Sequence, residues 1–388
     1  MRSAAIGFIV CLGVVSLFSD ITYEGARSLA GPYLASLGAS GAAVGFIAGA
    51  GELTGYGLRY ISGRITDHLR RYWTILFLGY GMNLAAVPLL AFADTWQLAA
   101  ALLIMERFGK SIRAPARDAL LSHASEHTGR GWGFGLHEAM DQIGALTGPL
   151  VVAGVLARRG SYPEAFALLA IPAVCAMLAL TVGRTLFPTP ADFAPKRRDV
   201  STSGMPRTFW IYAGGAALMA FGFVDFSLMA FHAKRTALLP DAWIPVLYAV
   251  AMGSDAIAAL VLGRWYDRAG APALITGACL SLFAAPLVFL NGGSVAMAAA
   301  GIVMWGAGMG AQESVLRAAV AGFVPPERRA SAYGAFHALY GVAWFLGSAL
   351  LGLLYGASLW ALSVCCVVAQ LGGVAIFASV TRRPAQTR

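Results

Sequence analysis

Apolar runs of membrane-crossing length recur along the whole chain and are separated by short polar intervals. They fall at 5–36, 41–64, 72–93, 96–120, 133–156, 164–186, 207–232, 243–265, 272–291, 294–318, 333–355 and 359–381. A helix rising 1.5 Å per residue needs roughly 20 mostly apolar residues to cross the hydrocarbon core of a bilayer. The pattern therefore predicts an all-α membrane protein of twelve spanning helices, since helices satisfy their own backbone groups in lipid. The longest polar interval, 187–206, is rich in Pro, Ser and charge and reads as a cytoplasmic linker. It separates two six-helix halves, 1–186 and 207–388.

Composition agrees. Hydrophobic residues make up 58% of the chain and charged residues 12%, with a mean hydropathy of +0.69, whereas a soluble domain carries about 25% charged residues. No interval is long enough to hold a soluble catalytic domain, so no enzyme is expected. The five cysteines sit inside apolar runs with no CxxC or Cys/His spacing. They read as small core residues, not as a disulfide framework or a zinc site. The first run continues past Asp20 without a small-residue cleavage site and reads as the first span.

The net charge of +9 changes the picture only through its distribution. With the N-terminus cytoplasmic, 20 of the 28 Lys/Arg fall at cytoplasmic positions, among them Arg64, Arg71, Lys196 and Arg382. Only Arg158, Arg159, Lys234 and Arg235 fall outside, while Arg27, Arg59, Arg107 and Lys110 lie within spans. This asymmetry places both termini in the cytoplasm. The basic balance is thus a membrane signature, and no nucleic-acid partner is expected.

The halves repeat at an offset of about 200 residues. Gly63-Arg64 with Asp67 and Arg71 after span 2 is answered by Gly263-Arg264 with Asp267, Arg268 and Gly270 after span 8. Arg117 answers Arg317, and Gly148 answers Gly347. Two repeated halves joined by a linker suit a transporter that forms its cavity between them.

The glycine–aspartate loop, in its two copies, resembles the cytoplasmic signature of the major facilitator superfamily. The second copy is the better match, because His68 and Arg70 replace the usual Arg and Gly in the first. Arg107-Phe108-Gly109-Lys110 is similar to the family's span-4 arginine motif. Gly144, Gly148, Pro149 and Gly154 resemble its span-5 antiporter motif. The resemblance covers essentially the whole chain. It implies a monomeric secondary transporter without cofactors, surrounded by lipid in a bacterial inner membrane.

An ionisable side chain at mid-bilayer costs about 2.5–3.5 kcal/mol, which makes each one a functional candidate. The cores of spans 3, 6, 9 and 12 hold no acid or base. Charge-free helices can face lipid, and the resemblance places the third helix of each triplet outside. In span 1, Asp20, Tyr23, Glu24 and Arg27 share one face at i, i+3, i+4, i+7 spacing. Two carboxylates one turn apart resist ionising together, so this face can exchange protons or meet substrate; a Glu24–Arg27 structural pair is the alternative. In span 4, Glu106 and Arg107 lie near mid-membrane, and Arg107 needs an acidic partner, with Glu52, Asp20 and Glu24 in range. By resemblance, Arg107 modulates a nearby carboxylate's hold on its proton. Arg113, Arg117 and Asp118 are expected at the cytoplasmic rim as gate contacts.

His137, Glu138, Asp141 and Gln142 open span 5. A metal site is not expected, because His137 points about 100° from Glu138 on a helix. Salt bridges between the halves, from this group to Arg113, Arg117 or Arg317, are expected instead. In the second half Asp225, Asp255 and Glu313 are isolated acids, Asp225 as a substrate or gate contact and Glu313 within a turn of Arg317. Tyr23, Tyr56, Tyr212, Phe226, Tyr248, Tyr340 and Trp344 are candidate cavity aromatics. The loop acids Asp67 and Asp267 are expected to work in the conformational change, at a helix N-terminus or against arginines across the halves.

Buried acids outnumber buried bases, which favours a cationic or neutral substrate. With the antiporter resemblance, proton-coupled export of a small molecule is expected; proton-coupled uptake of a nutrient or metal ion is the alternative. No ATP-binding loop occurs in the sequence.

Overall fold

Long apolar runs become long helices, and their polar ends decide where those helices stop. The computed structural model describes residues 2–69, 71–126, 130–188, 204–324 and 329–381. The first six spans are α1 (Arg2–Ser36), α2 (Gly41–Leu69), α3 (Tyr72–Leu89), α4 (Trp96–Glu126), α5 (Arg130–Arg159) and the pair α6 (Tyr162–Leu168) and α7 (Ala170–Leu186). The next six are α8 (Arg207–Phe221) with α9 (Phe226–Arg235), α10 (Trp243–Ala269), α11 (Ala271–Leu280) with α12 (Ala284–Phe289), α13 (Val295–Ala311) with α14 (Arg317–Phe323), α15 (Arg329–Ala357) and α16 (Leu359–Thr381). Most of the linker 187–206 lies outside the described residues.

Among the described residues, ten segments are long and apolar enough to cross a membrane by length and composition. The other two of the twelve, α2 and α4, are of membrane-crossing length, and α4 carries the densest charge. Several helices outrun the apolar runs that announce them. α4 continues to Glu126 and α2 to Leu69, because a helical backbone persists through polar turns beyond the hydrocarbon.

Two compact units emerge. One holds 1–39, 54–198 and 240–249; the other holds 40–53, 199–239 and 250–388. α2 and α10 thus each contribute to both. In the first unit, Phe8, Leu12, Trp73, Leu76, Tyr80, Leu120 and Leu180 form a buried core, and α1 crosses α5 with almost no side chain between them. A Cβ on Gly148 would fall on the Ile21 carbonyl oxygen and within 2.9 Å of the Gly25 nitrogen. The repeat recurs in the second unit, where a Cβ on Gly347 would fall on the Phe221 carbonyl oxygen of α8. Small residues that admit a neighbouring backbone are a usual way for helices to associate in lipid.

The seventh span is broken between α8 and α9, and the freed backbone groups are claimed by side chains. Gln370 Nε2 donates to the Gly222 carbonyl at 2.8 Å, and Trp305 Nε1 donates to that of Val224 at 2.8 Å. Asp225 caps α9, its Oδ1 accepting from Ser227 N at 2.8 Å. The tenth span carries a π-helical turn at Gln312–Leu316. Tyr212 Oη donates to the Leu316 carbonyl there at 2.8 Å, and Tyr340 Oη donates to Gln312 Oε1 at 2.5 Å.

Candidate functional site

The first unit gathers most of the charged candidates. α1 turns Asp20, Tyr23 and Glu24 inward, all buried, with Arg27 one turn further on and half-buried. Across from them, α4 presents Arg107, Lys110, Arg113 and Arg117 at steps of three and four, one helix face. Glu24 is held at both oxygens: Tyr248 Oη donates to Oε2 at 2.5 Å, and Lys110 Nζ lies 3.9 Å from Oε1. Lys110 also stands 3.9 Å from the centre of the Tyr23 ring.

Arg113 departs from its expected place at the rim. It is 0% exposed, its guanidinium stacked 4.3 Å from the Tyr80 ring centre and 5.7 Å from that of Tyr23. None of its three guanidinium nitrogens has a hydrogen-bond partner among the described residues. The reason is length: α4 runs to Glu126, so position 113 lies well inside the helix. Arg107 Nε lies 3.3 Å from the neighbouring Glu106 Oε2, and its charge also bears on Glu24, one of its expected partners. Glu106 in turn accepts from Asn83 Nδ2 at 2.6 Å. Glu52 belongs to the second unit.

Towards the start of α5 a second knot forms. Arg117 reaches Asp141 Oδ2 at 3.7 Å, Asp118 Oδ1 at 2.9 Å and Ser16 Oγ at 3.3 Å. His137 Nδ1 lies 3.4 Å from Asp141 Oδ2 and Nε2 lies 3.2 Å from Ser16 Oγ. Arg117 and Asp141 therefore pair inside the first unit, where bridges between the halves were expected. Glu138 is exposed and accepts from Gln142 Nε2 at 3.3 Å. Among the described residues no group of three or more His, Cys, Asp or Glu is arranged to hold a metal. Grooves of about 450 Å³ along Leu150 and Arg158 and about 310 Å³ along Leu84 and Met177 lie away from this cluster.

The remaining candidates are dispersed. Asp225 is the cap of α9, and Asp225→Ala is expected to cost about 1 kcal/mol, the usual worth of such a cap, read as a small fall in thermal stability. Asp255 is buried where α10 meets Gly310 of α13, and Glu313 sits on the π-helical turn. Asp267 and Arg268 are exposed in the last turn of α10, ahead of Gly270, whose φ of +64° ends the helix. Arg71 precedes α3 and is exposed, with no side-chain cap. Gly63 has only ordinary contact with Pro115, and Gly263 faces open space. The side chains of Asp67 and Arg317 lie outside the described residues. Tyr212, Phe226 and Trp344 are buried packing residues. Sequence reasoning missed Asn83 and Gln370; a lone amide in an otherwise charge-free span was the available signal.

Twelve membrane-length helical segments among the described residues, with ionisable groups buried on helix faces, define a multi-pass membrane protein. The sequence profile of the Major Facilitator Superfamily matches residues 12–348 and 240–388. The chain belongs to that superfamily, whose fold performs secondary transport. It is 43% identical over 371 residues to uncharacterized proteins of Mycobacterium tuberculosis and Mycobacterium bovis, covering 94% of this chain and 90% of theirs. An uncharacterized MFS-type transporter of Methanocaldococcus jannaschii is 30% identical over 137 residues, 35% of this chain and 34% of that one. The fold is similar to that of the nucleoside transporter NupG, with a TM-score of 0.73 at 13% identity over 97% of this chain and 98% of that one. It is also similar to a POT peptide transporter in complex with alafosfalin, with a TM-score of 0.76 at 13% identity over 96% and 95%.

Proposed function

We propose that this chain is a proton-coupled secondary transporter that exports a small cationic or neutral solute by alternating access. It acts as a monomer in a bacterial cytoplasmic membrane with both termini inside, its halves 1–186 and 207–388 acting as the two moving bodies. The observation that carries the reading is Asp20, a buried carboxyl with one oxygen unbonded among the described residues, set beside the cationic face of α4. A carboxyl in that position changes its charge with a single proton, and the ion pairs around it must then rearrange.

Support for the solute's charge comes from the second unit. There the buried Asp, Glu, Lys and Arg among the described residues are the acids Glu52, Asp225 and Asp255. In the first unit the four cations of α4 offset the acids, so an overall excess of acid no longer supports this part of the reading. The test is electrical. Purified protein in proteoliposomes on a solid-supported membrane is challenged at two pH values with lipophilic cations, sugars, amino acids, siderophores and divalent metals. Charge transients from lipophilic cations that change with pH are the expected result. A response confined to nutrients or metals would replace export with uptake, and currents indifferent to pH would remove the proton from the scheme.

A further inference from the structure

We propose that Asp20 and Asp141 form one proton-holding pair, with a single proton between their carboxyl groups, and that His137 is the positioning residue that sets Asp141 for it. The physiological use of that proton rests on the coupled-transport reading above; the pair itself rests on geometry.

α1 and α5 are in register. Ser16 Oγ meets His137 Nε2, 121 positions further along the chain, and the same offset carries Asp20, one turn on, to Asp141. The next contact fixes the side chain. A Cβ on Gly144 would lie 2.8 Å from Asp20 Cβ, so the Asp20 side chain starts in the seam between the two helices. Within that seam Asp20 Oδ1 and Asp141 Oδ1 are both buried, and neither has a hydrogen-bond partner among the described residues. An unbonded carboxylate oxygen removed from water is costly, and two side by side also repel. One proton relieves both penalties, because the protonated carboxyl becomes a donor to its ionised neighbour.

The other oxygen of Asp141 is already committed. Oδ2 lies 3.4 Å from His137 Nδ1 and 3.7 Å from Arg117 Nη1. A neutral imidazole with its proton on Nδ1 donates to Asp141, while the Ser16 hydroxyl stands between His137 Nε2 and the Asp141 carboxyl. Asp141 is thereby held with Oδ1 left for Asp20. The surrounding charges are shared out: α4 presents Lys110 and Arg113 to Asp20 and Arg117 to Asp141. Tyr23 and Glu24 face Asp20 from its own helix, and His137 and Glu138 attend Asp141 from its own. Transfer of the proton from the Asp20 carboxyl to the Asp141 carboxylate breaks one O–H bond, forms another and leaves the pair's charge unchanged. Loss of the proton leaves two negative charges in the seam, faced by Lys110, Arg113 and Arg117.

Infrared difference spectroscopy of the purified full-length chain, titrated with acid, reads the carbonyl stretch of a buried protonated carboxyl. The parent should show one such band, and Asp20→Asn and Asp141→Asn should each remove it. The double variant should remove no more than either single one. His137→Phe should move the pH at which the band appears, whereas Glu164→Gln, on the far side of the same unit, should leave it in place. Asp20→Glu and Asp141→Glu, which keep a carboxyl, should shift the band without abolishing it and guard against loss of fold. Two bands removed one by each substitution, or no band at all, would overturn the pair. Shared loss of one band in a protein whose transport ignores pH would uphold the pair and refute the coupling. Transport that follows pH with two independent bands would do the reverse.

Discussion

Arg113→Met should lower the stability of the purified protein at neutral pH, by less than the about 3–5 kcal/mol of leaving a buried charge wholly unpaired, because Lys110 still faces Asp20. Arg113 is 0% exposed and lies within electrostatic reach of Asp20. It is held by the faces of Tyr80 and Tyr23 and has no hydrogen bond among the described residues. Methionine fills much of the same volume, so the loss would come from charge, not from a cavity. The deficit should shrink as the pH falls, because each proton taken up by the Asp20–Asp141 pair removes one of the negative charges that face Arg113. Thermal unfolding, followed by a thiol-reactive dye at the buried Cys366, measures both effects. A deficit that stays constant across pH would show that Arg113 acts through packing alone. Arg113→Lys should recover part of the loss, since a lysine keeps the charge but gives up the flat stacking surface.

Gly148→Leu should prevent α1 and α5 from packing and leave little monodisperse protein. Overfilling a packed site ordinarily costs about 1–3 kcal/mol through side-chain and backbone shifts. Here the atoms in the way are the backbone of Ile21 and Gly25, which cannot move aside as a flexible side chain can. Gly154→Leu supplies the contrast. It lies on the same helix and in the same sequence motif, yet a Cβ there meets nothing within 4 Å. Size-exclusion chromatography of the two variants should therefore separate them sharply. Equal behaviour would mean that the glycines serve something other than close approach.

The number of spans, the repeat and the inward-facing span-1 acids were legible because lipid imposes them. Apolar length reports a crossing, and a charge inside an apolar run must turn away from hydrocarbon. Partners between helices were much less legible. Arg107 could be given a depth, but its pairing with Glu106 depends on a rotamer set by Asn83, a residue 23 positions earlier in the chain. Arg113 was placed too near the rim because α4 stays helical through its polar end. The break after α8 was hidden for a different reason: the residues that stabilise it, Trp305 and Gln370, lie in other spans. A local pattern cannot report a carbonyl that is satisfied by a distant indole or amide. Asp225 looked like an isolated substrate or gate contact for the same reason, although its described bond is a helix cap.

The π-helical turn at Gln312–Leu316 marks a place where this lineage can change phase. A residue added to an α-helix swings everything after it by about 100°, which ordinarily ruins every downstream contact. A π-turn absorbs one extra residue locally and leaves the helix on either side intact. Removing one residue from this turn should therefore yield a continuous helix rather than a broken protein. Glu313 would lose its present bearing while the segments before and after it kept theirs. Natural relatives that differ here by one residue in length would then differ in where this acid points, a route by which specificity could drift without disturbing the scaffold.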